Sequence, residues 1–161
     1  MPTTPTDYSI YTAILTALRT INGAGNYYYD LSSSVVEGLH DANAPPLGSG
    51  VCASVGCLPV SFDDGPDLGG TSNTARFAIQ AWTPAADTAA ARMLAGARLH
   101  SDIRQALKTA RSTSSTALYT LHRMAFEGVH LDAAQLGLSL NGCYLEAELT
   151  VEFPISYTGT E

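Results

Sequence analysis

The apolar residues of the chain recur with a helical period in two segments. Residues 7–22 predict a helix with one apolar stripe, formed by Tyr11, Ile14, Leu15, Leu18 and Ile21. Thr6 or Asp7 is placed to cap its start. A second helix is predicted over residues 85–110, opened by Thr83 or Asp87. Its predicted shared face contains Met93, Gly96, Ala97, His100, Ile103, Leu107 and Ala110.

Other segments alternate between apolar and polar residues, which predicts strands. In residues 74–82, one face carries Ala75, Phe77, Ile79 and Ala81, and the other carries Arg76, Gln80 and Trp82. Residues 51–58 and 117–126 also predict strands. The aromatic and β-branched residues of segment 27–39 predict a strand pair or a bent strand.

The last predicted strand, residues 142–157, has the longest alternation. One face holds Cys143, Leu145, Ala147, Leu149, Val151, Phe153 and Ile155, and the other holds Tyr144, Glu146, Glu148, Thr150 and Glu152. At roughly 3.3 Å per residue this alternation spans about 43 Å, about twice the length of an ordinary strand. Such a strand is either bent by a bulge or extended beyond its own domain to meet a neighbour, and we favour the second interpretation.

The order of these elements defines the fold class. Helix–β–β–β–helix–β–β predicts one α+β domain over residues 1–161, with two main helices packed on one face of the sheet. The sheet is expected to be antiparallel or mixed, with about four to five strands and a long C-terminal strand. Two loops, HDANAPPLGSG and PVSFDDGPDLGG, exceed the usual length of connections, which indicates that they fold against something else.

Composition narrows the class of protein. Apolar residues make up 45% and charged residues 14%, which is typical of a packed domain and not of a disordered chain. The net charge of −7 argues against a duplex-binding module. We expect no membrane span, no secretory signal peptide and, with three cysteines, a reduced cytoplasmic setting.

Charge is unevenly distributed along the chain. Residues 1–75 carry seven acids and one base, a net −6. Residues 76–123 carry seven bases and two acids, a net +5, and residues 124–161 carry six acids and no base, again −6. Either solvated faces are biased by chance, or unlike surfaces on copies of one subunit meet head to tail, as in rings.

Candidate catalytic and metal sites are weak. Cys52 and Cys57 have opposite strand parity and no second Cys/His pair completes a zinc site. The acidic run at 63–67 lacks the ligand spacing of a calcium loop. His122 and His130 have no accompanying nucleophile motif. We therefore expect no catalytic residue, no metal, no cofactor and no enzymatic activity.

Several segments together resemble the tail terminator (tail completion or neck) proteins of tailed bacteriophages. YTAILTALRTI, then YYYDLSSSVVEGL and a Pro-rich loop into a strand, look like the opening of that family. RFAIQAWTPAADTAAARMLAGARLHSDIRQAL is similar to its strand and long helix, and LEAELTVEFPISY to its final strand. The similarity is one of element pattern along nearly the whole chain, with departures at 40–72 and 111–141.

The resemblance implies a structural virion protein of the tail or neck, assembled in the host cytoplasm. Its subunits would form a ring, commonly a homohexamer, that caps the tail tube and stops its polymerisation. Expected partners are the tail tube protein, a head-side connector or stopper protein and, if the tail is contractile, a sheath protein. DNA would pass through the lumen without specific binding.

Charged residues supply the candidate surface for such a ring. Glu146, Glu148 and Glu152 form a row that would be either a lumen wall or a subunit contact. As a contact, the row would face a basic residue of the next copy: Arg76, Arg92, Arg98 or Arg104. The alternatives are another neck, head-completion or minor tail protein, or a small-molecule-binding α+β domain that uses the tyrosines and His122 in a pocket.

Overall fold

The computed structural model describes residues 6–48, 50–59, 72–113, 116, 118, 121, 123–127 and 142–154. These residues form the following elements in chain order: α1 (Thr6–Arg19), β1 (Val35–Glu37), β2 (Cys52–Leu58), β3 (Ser72–Trp82), α2 (Ala89–Ser112), β4 (Arg123–Glu127) and β5 (Tyr144–Pro154). The strands form one sheet in the order β1-β2-β3-β5-β4. The predicted α+β class is confirmed.

The sheet is mixed because β1 and β2 run parallel, whereas each of the other neighbouring pairs is antiparallel. Adjacent parallel strands need a crossover of a dozen or more residues. Residues 38–51 provide it and cross the sheet face opposite to the helices, where Leu39 lies against Gly56. The prediction that this long loop folds against something is confirmed, and that partner is the protein's own sheet. Of the second long loop the structure describes Pro59, whose carbonyl accepts from Arg76 at 3.2 Å, and the rest of the loop lies outside the described residues.

Both helices pack on the same face of the sheet and share one core. The predicted stripe of α1 is buried, and Ile21 is buried just beyond the end of the helix. The ring of Tyr11 stacks on that of Phe77 at 6.2 Å, and its hydroxyl donates to the carbonyl of Val55 at 2.8 Å. These contacts hold α1 over the middle of the sheet.

Strand β5 lies inside the sheet, and its predicted alternation is confirmed. Its core face carries Leu145, Ala147, Leu149, Val151 and Phe153, all buried. Each of its 11 residues pairs with β3 of the same chain, from Tyr144 opposite Trp82 to Pro154 opposite Ser72. The prediction that β5 extends beyond its own domain is therefore wrong for the described residues. An equally long neighbouring strand satisfies its backbone groups.

The buried face of α2 differs from the predicted one. Met93 and Ala97 are exposed and His100 is half-buried. The buried residues are Gly96, Leu99, Asp102, Ile103, Ala106, Leu107 and Ala110. The many alanines fit several rotations of the helix equally well, so the pattern did not define which side faces the core. The helix also starts later than predicted, capped by Thr88, whose hydroxyl accepts from the Ala91 amide at 3.1 Å.

Two predicted strands are shorter in the structure. Segment 27–39 is mostly an irregular connection in which only Val35–Glu37 form a strand, after an isolated bridge between Asn22 and Asp30. The predicted strand 117–126 is confirmed only from Arg123 onward. Leu118 and Leu121 precede β4 and are buried in the core instead.

Candidate assembly surfaces

The sheet face opposite to the helices, here called the outer face, collects most of the polar strand residues. The register places on it the side chains of alternate residues of β2 to β5: Cys52, Ser54, Leu58, Thr74, Arg76, Ala78, Gln80, Trp82, Arg123, Ala125, Glu127, Tyr144, Glu146, Glu148, Thr150 and Glu152. The crossover loop, residues 38–51, covers the end of this face that holds Trp82 and Tyr144. Glu152, at the far end of the acidic row, pairs with Thr74, eight residues before Trp82 on β3.

The buried side chain of Gln80 fastens the crossover loop to the sheet. Its Oε1 accepts from the His40 amide at 2.8 Å and from the Ser54 hydroxyl at 3.1 Å. Its Nε2 donates to the His40 carbonyl at 2.8 Å and to the Tyr144 hydroxyl at 2.9 Å. The Tyr144 hydroxyl in turn donates to Glu146 at 2.8 Å, and burial raises the pKa of Tyr144.

Trp82 forms a second attachment of the same loop. Its Nε1 donates to the carbonyl of Ala42 at 2.9 Å, and its ring contacts that of Tyr144 at 5.4 Å. Two leucines of the loop, Leu39 and Leu47, nevertheless keep about half of their surface in water, at 53% and 47% exposure. The loop therefore adds an apolar border to the outer face.

The acidic row lies on the outer face as predicted, but two of its carboxylates lie close to arginines of the same chain. Arg76 Nε lies 2.6 Å from Glu148 Oε1, and this bond lowers the pKa of Glu148. Arg76 is predicted to meet the row of a second copy, whereas the structure pairs it with its own chain because β3 and β5 are neighbours. Arg123 lies 3.9 Å from Glu152. Glu146 is exposed.

The other predicted basic residues lie on α2, on the opposite side of the sheet from the acidic row. Arg98 and Arg104 are exposed, and the Arg98 guanidinium lies 5.3 Å from the centroid of the Tyr28 ring. Arg92 donates to the carbonyl of Ala86 at 3.5 Å. Burial, together with the positive charge of Arg104, lowers the pKa of His100. The structure does not bring Arg92, Arg98 or Arg104 to the row of the same chain.

Asp102 is the one acidic residue in the sequence of α2, and it does not offset this positive charge at the surface. Its carboxylate is 1% exposed and accepts from the backbone amides of Tyr28 and Tyr29 at 2.9–3.1 Å. Burial raises the pKa of Asp102, and the two amide bonds act in the opposite direction. The sequence interpretation proposed these two tyrosines for a pocket. In the structure, their backbone amides are bound to α2 instead.

The residues missed by the sequence interpretation are Arg123, Glu127, Leu39 and Leu47. Arg123 and Glu127 sit at the ends of β4 on the outer face, where Glu127 lies opposite Glu148. The alternation of polar and apolar residues in segment 123–127 could have placed them on this face. The sequence interpretation started the strand too early, at residue 117, and so missed this signal. The two leucines lie in a loop, for which hydrophobic periodicity gives no orientation.

The described part of the chain also bears on the candidate metal sites and titratable residues. Its residues contain no group of three or more His, Cys, Asp or Glu that could hold a metal ion. Cys52 is buried under the loop and Cys57 is exposed, on opposite faces of β2 as their spacing predicts. His122, His130 and the acidic run 63–67 lie outside the described residues. None of the described helices combines the length and hydropathy needed to cross a bilayer.

Comparison with known proteins gives one kind of match. No family model and no curated protein matches the chain. Fifteen chains of solved structures do. One is the sheath/tube terminator, in the extended state, of the extracellular contractile injection system PVC, with 14% sequence identity and a TM-score of 0.44. The match covers 100% of this chain and 61% of that one, so the chain spans about three fifths of its length.

Proposed function

We propose that the protein is a structural subunit of a phage-tail-like assembly, which forms a ring on the end of the tail tube and stops tube growth. The observation that carries the proposal is the placement of unlike charge on opposite sides of one sheet. The acidic row lies on the outer face, and Arg98 and Arg104 project from the helix layer. The element pattern that resembles tail terminators supports the same class.

This placement favours association between copies of the subunit. The sheet separates the two surfaces, so one chain cannot bring them together. A second copy can, and it then presents the same two surfaces again. Such a head-to-tail contact generates a closed ring when the rotation between copies closes, and an open filament when it does not. The proposed ring is the closed case, with a homohexamer as the expected form.

The proposed ring would let DNA pass without holding it. Each phosphate that Lys or Arg neutralises strengthens binding to nucleic acid. The chain has eight Lys and Arg residues against fifteen Asp and Glu, a net charge of −7, so acidic repulsion opposes such contacts. The proposed partners are the tube protein on one side, a head-side connector or stopper protein on the other, and a sheath protein where the tail contracts.

Electron microscopy of tails assembled with and without this protein tests the proposed function. We expect tubes of uncontrolled, excessive length and no attached heads when the chain is omitted, and normal length when it is supplied again. Tubes of normal length in its absence would contradict tube termination. If those normal tubes also lack heads, the result would favour a head-completion or other neck role instead.

A further inference from the structure

The start of α2 exposes apolar side chains to water. None of the side chains of Ala89–Ala95 is buried, whereas seven of the following residues are. Met93 and Leu94 are 41% and 52% exposed. Single exposed apolar residues are normal at protein surfaces, but here two large ones and several alanines share two consecutive turns.

The same side of α2 becomes basic towards its end. At 100° per residue, the exposed residues between Met93 and Lys108 fall on one arc opposite to the buried face: Met93, Leu94, Ala97, Arg98, Ser101, Arg104, Gln105 and Lys108. We call this arc the α2 stripe. Its apolar end and its basic end are separated by the ten residues from Leu94 to Arg104, or about 15 Å at 1.5 Å per residue.

The outer face also has an apolar side and a charged side, and its charge is opposite to that of the α2 stripe. Leu39 lies over β2, at Gly56, and forms the apolar border. The acids lie on β5 and β4, which carry four carboxylates and one guanidinium on the described outer face, and Arg76 on β3 adds a second guanidinium. Glu146 and Glu127 are the exposed members. Three inter-strand steps of about 4.8 Å separate β2 from β4, or about 14 Å. This distance matches the length of the α2 stripe between its two ends.

We infer that the α2 stripe of one copy docks across the outer face of a second copy. Met93 and Leu94 contact the leucine border, and the arginines face Glu146 and Glu127. The inference rests on the proposed function in that it supplies the joint between subunits of the ring. It also assigns the acidic row to a subunit contact and not to the lumen wall. Charge complementarity fixes the register, and apolar burial stabilises the contact.

Paired charge reversals test this joint by sedimentation of the full chain. Arg98→Glu with Arg104→Glu makes the helix surface acidic, and Glu146→Arg with Glu127→Arg makes the outer face basic. We expect each variant alone to repel itself and sediment as a monomer. An equimolar mixture should assemble again, with the two variants alternating, because every joint then unites opposite charges. Arg19→Glu reverses an exposed charge off the stripe and removes a hydrogen bond to the Val35 carbonyl, so it should leave assembly of the folded chain unchanged.

Three results would overturn the joint: assembly of either folded reversal variant alone at the wild-type concentration, a mixture that stays monomeric, or a wild-type chain that never associates. If circular dichroism shows that a reversal variant is unfolded, Met93→Ser with Leu94→Ser takes its place. It should raise the concentration at half-assembly by about tenfold or more, since buried apolar area is lost. An unchanged concentration would contradict the inference. Tube length, measured separately by microscopy, decides the proposed function whatever the joint.

Discussion

The attachment of the crossover loop by Gln80 leads to a specific prediction for Gln80→Leu. Leucine fills a similar volume but cannot form the four hydrogen bonds of the glutamine carboxamide. Each such bond contributes about 0.5–1.5 kcal/mol net, and the freed groups of His40 regain water if the loop opens. We therefore expect the free energy of unfolding to fall by about 2–4 kcal/mol, with the loop released first.

Tryptophan fluorescence provides the assay, because Trp82 is the single tryptophan of the chain and lies under this loop. In Gln80→Leu we expect a red-shifted emission in native buffer and a lower urea midpoint. Gln105→Leu is the matched control, since Gln105 is exposed and bonds only to Thr109 among the described partners. It should stay within about 0.5 kcal/mol of the wild type. Unchanged emission and midpoint in Gln80→Leu would refute the proposed role of the carboxamide.

Three further substitutions test the core and its polar contacts. Leu149→Asp places an unpaired carboxylate at a fully buried site and should unfold the chain at a cost of several kcal/mol, whereas Thr150→Asp on the outer face should leave a cooperative melt. A folded Leu149→Asp would show that the faces of β5 are misassigned. Because burial raises the pKa of Asp102, its stabilising contribution relative to Asp102→Asn should be complete below the unfolded value of 3.8 and be lost as pH rises through the folded value. Urea melts across this range would contradict the assignment if the difference grew with pH. In Gly142→Ala the added Cβ would clash with the carbonyl oxygen of Thr83, so we expect a loss of about 1–3 kcal/mol in thermal or urea melts, and a neutral result would show that this backbone can shift.

The sequence predicted correctly those elements that have one face buried in the core and the other face exposed to solvent. The stripe of α1 and the alternation of β5 follow directly from burial, because a shift by one residue would expose every apolar side chain of β5. The position of β5 between two other strands of the sheet could not be predicted from burial. Its length suggested contact with a neighbour, but periodicity does not say which strands flank it.

Polar contacts between distant segments account for the main errors. Tyr28 and Tyr29 have high strand propensity, yet their amides bind Asp102, which lies more than 70 positions away in the chain. These bonds keep segment 27–30 from forming a strand, and they also fix the rotation of α2. Local propensity is overridden in this way when a buried carboxylate needs donors. Neither partner carries a sequence signal that points to the other.

The candidate surfaces, too, could be predicted only in part. The sign of each charged block could be predicted by counting residues, and the structure places the acidic row and the α2 arginines on separate surfaces. The pairing of Arg76 with Glu148 could not be predicted, because it depends on which strand lies beside β5. The leucine border likewise depends on the path of the crossover loop. Charge blocks thus predict the existence of unlike surfaces but not their internal pairing.

Native mass spectrometry of the unmodified protein over a wide range of concentrations tests the central claim most directly. A subunit that closes a circle through unlike faces should give one dominant species of about six copies of the 16.9 kDa chain, without a ladder of larger sizes, because a closed ring leaves no free face. A species that remains at 16.9 kDa at every concentration, or an unlimited series of filaments, would contradict the account.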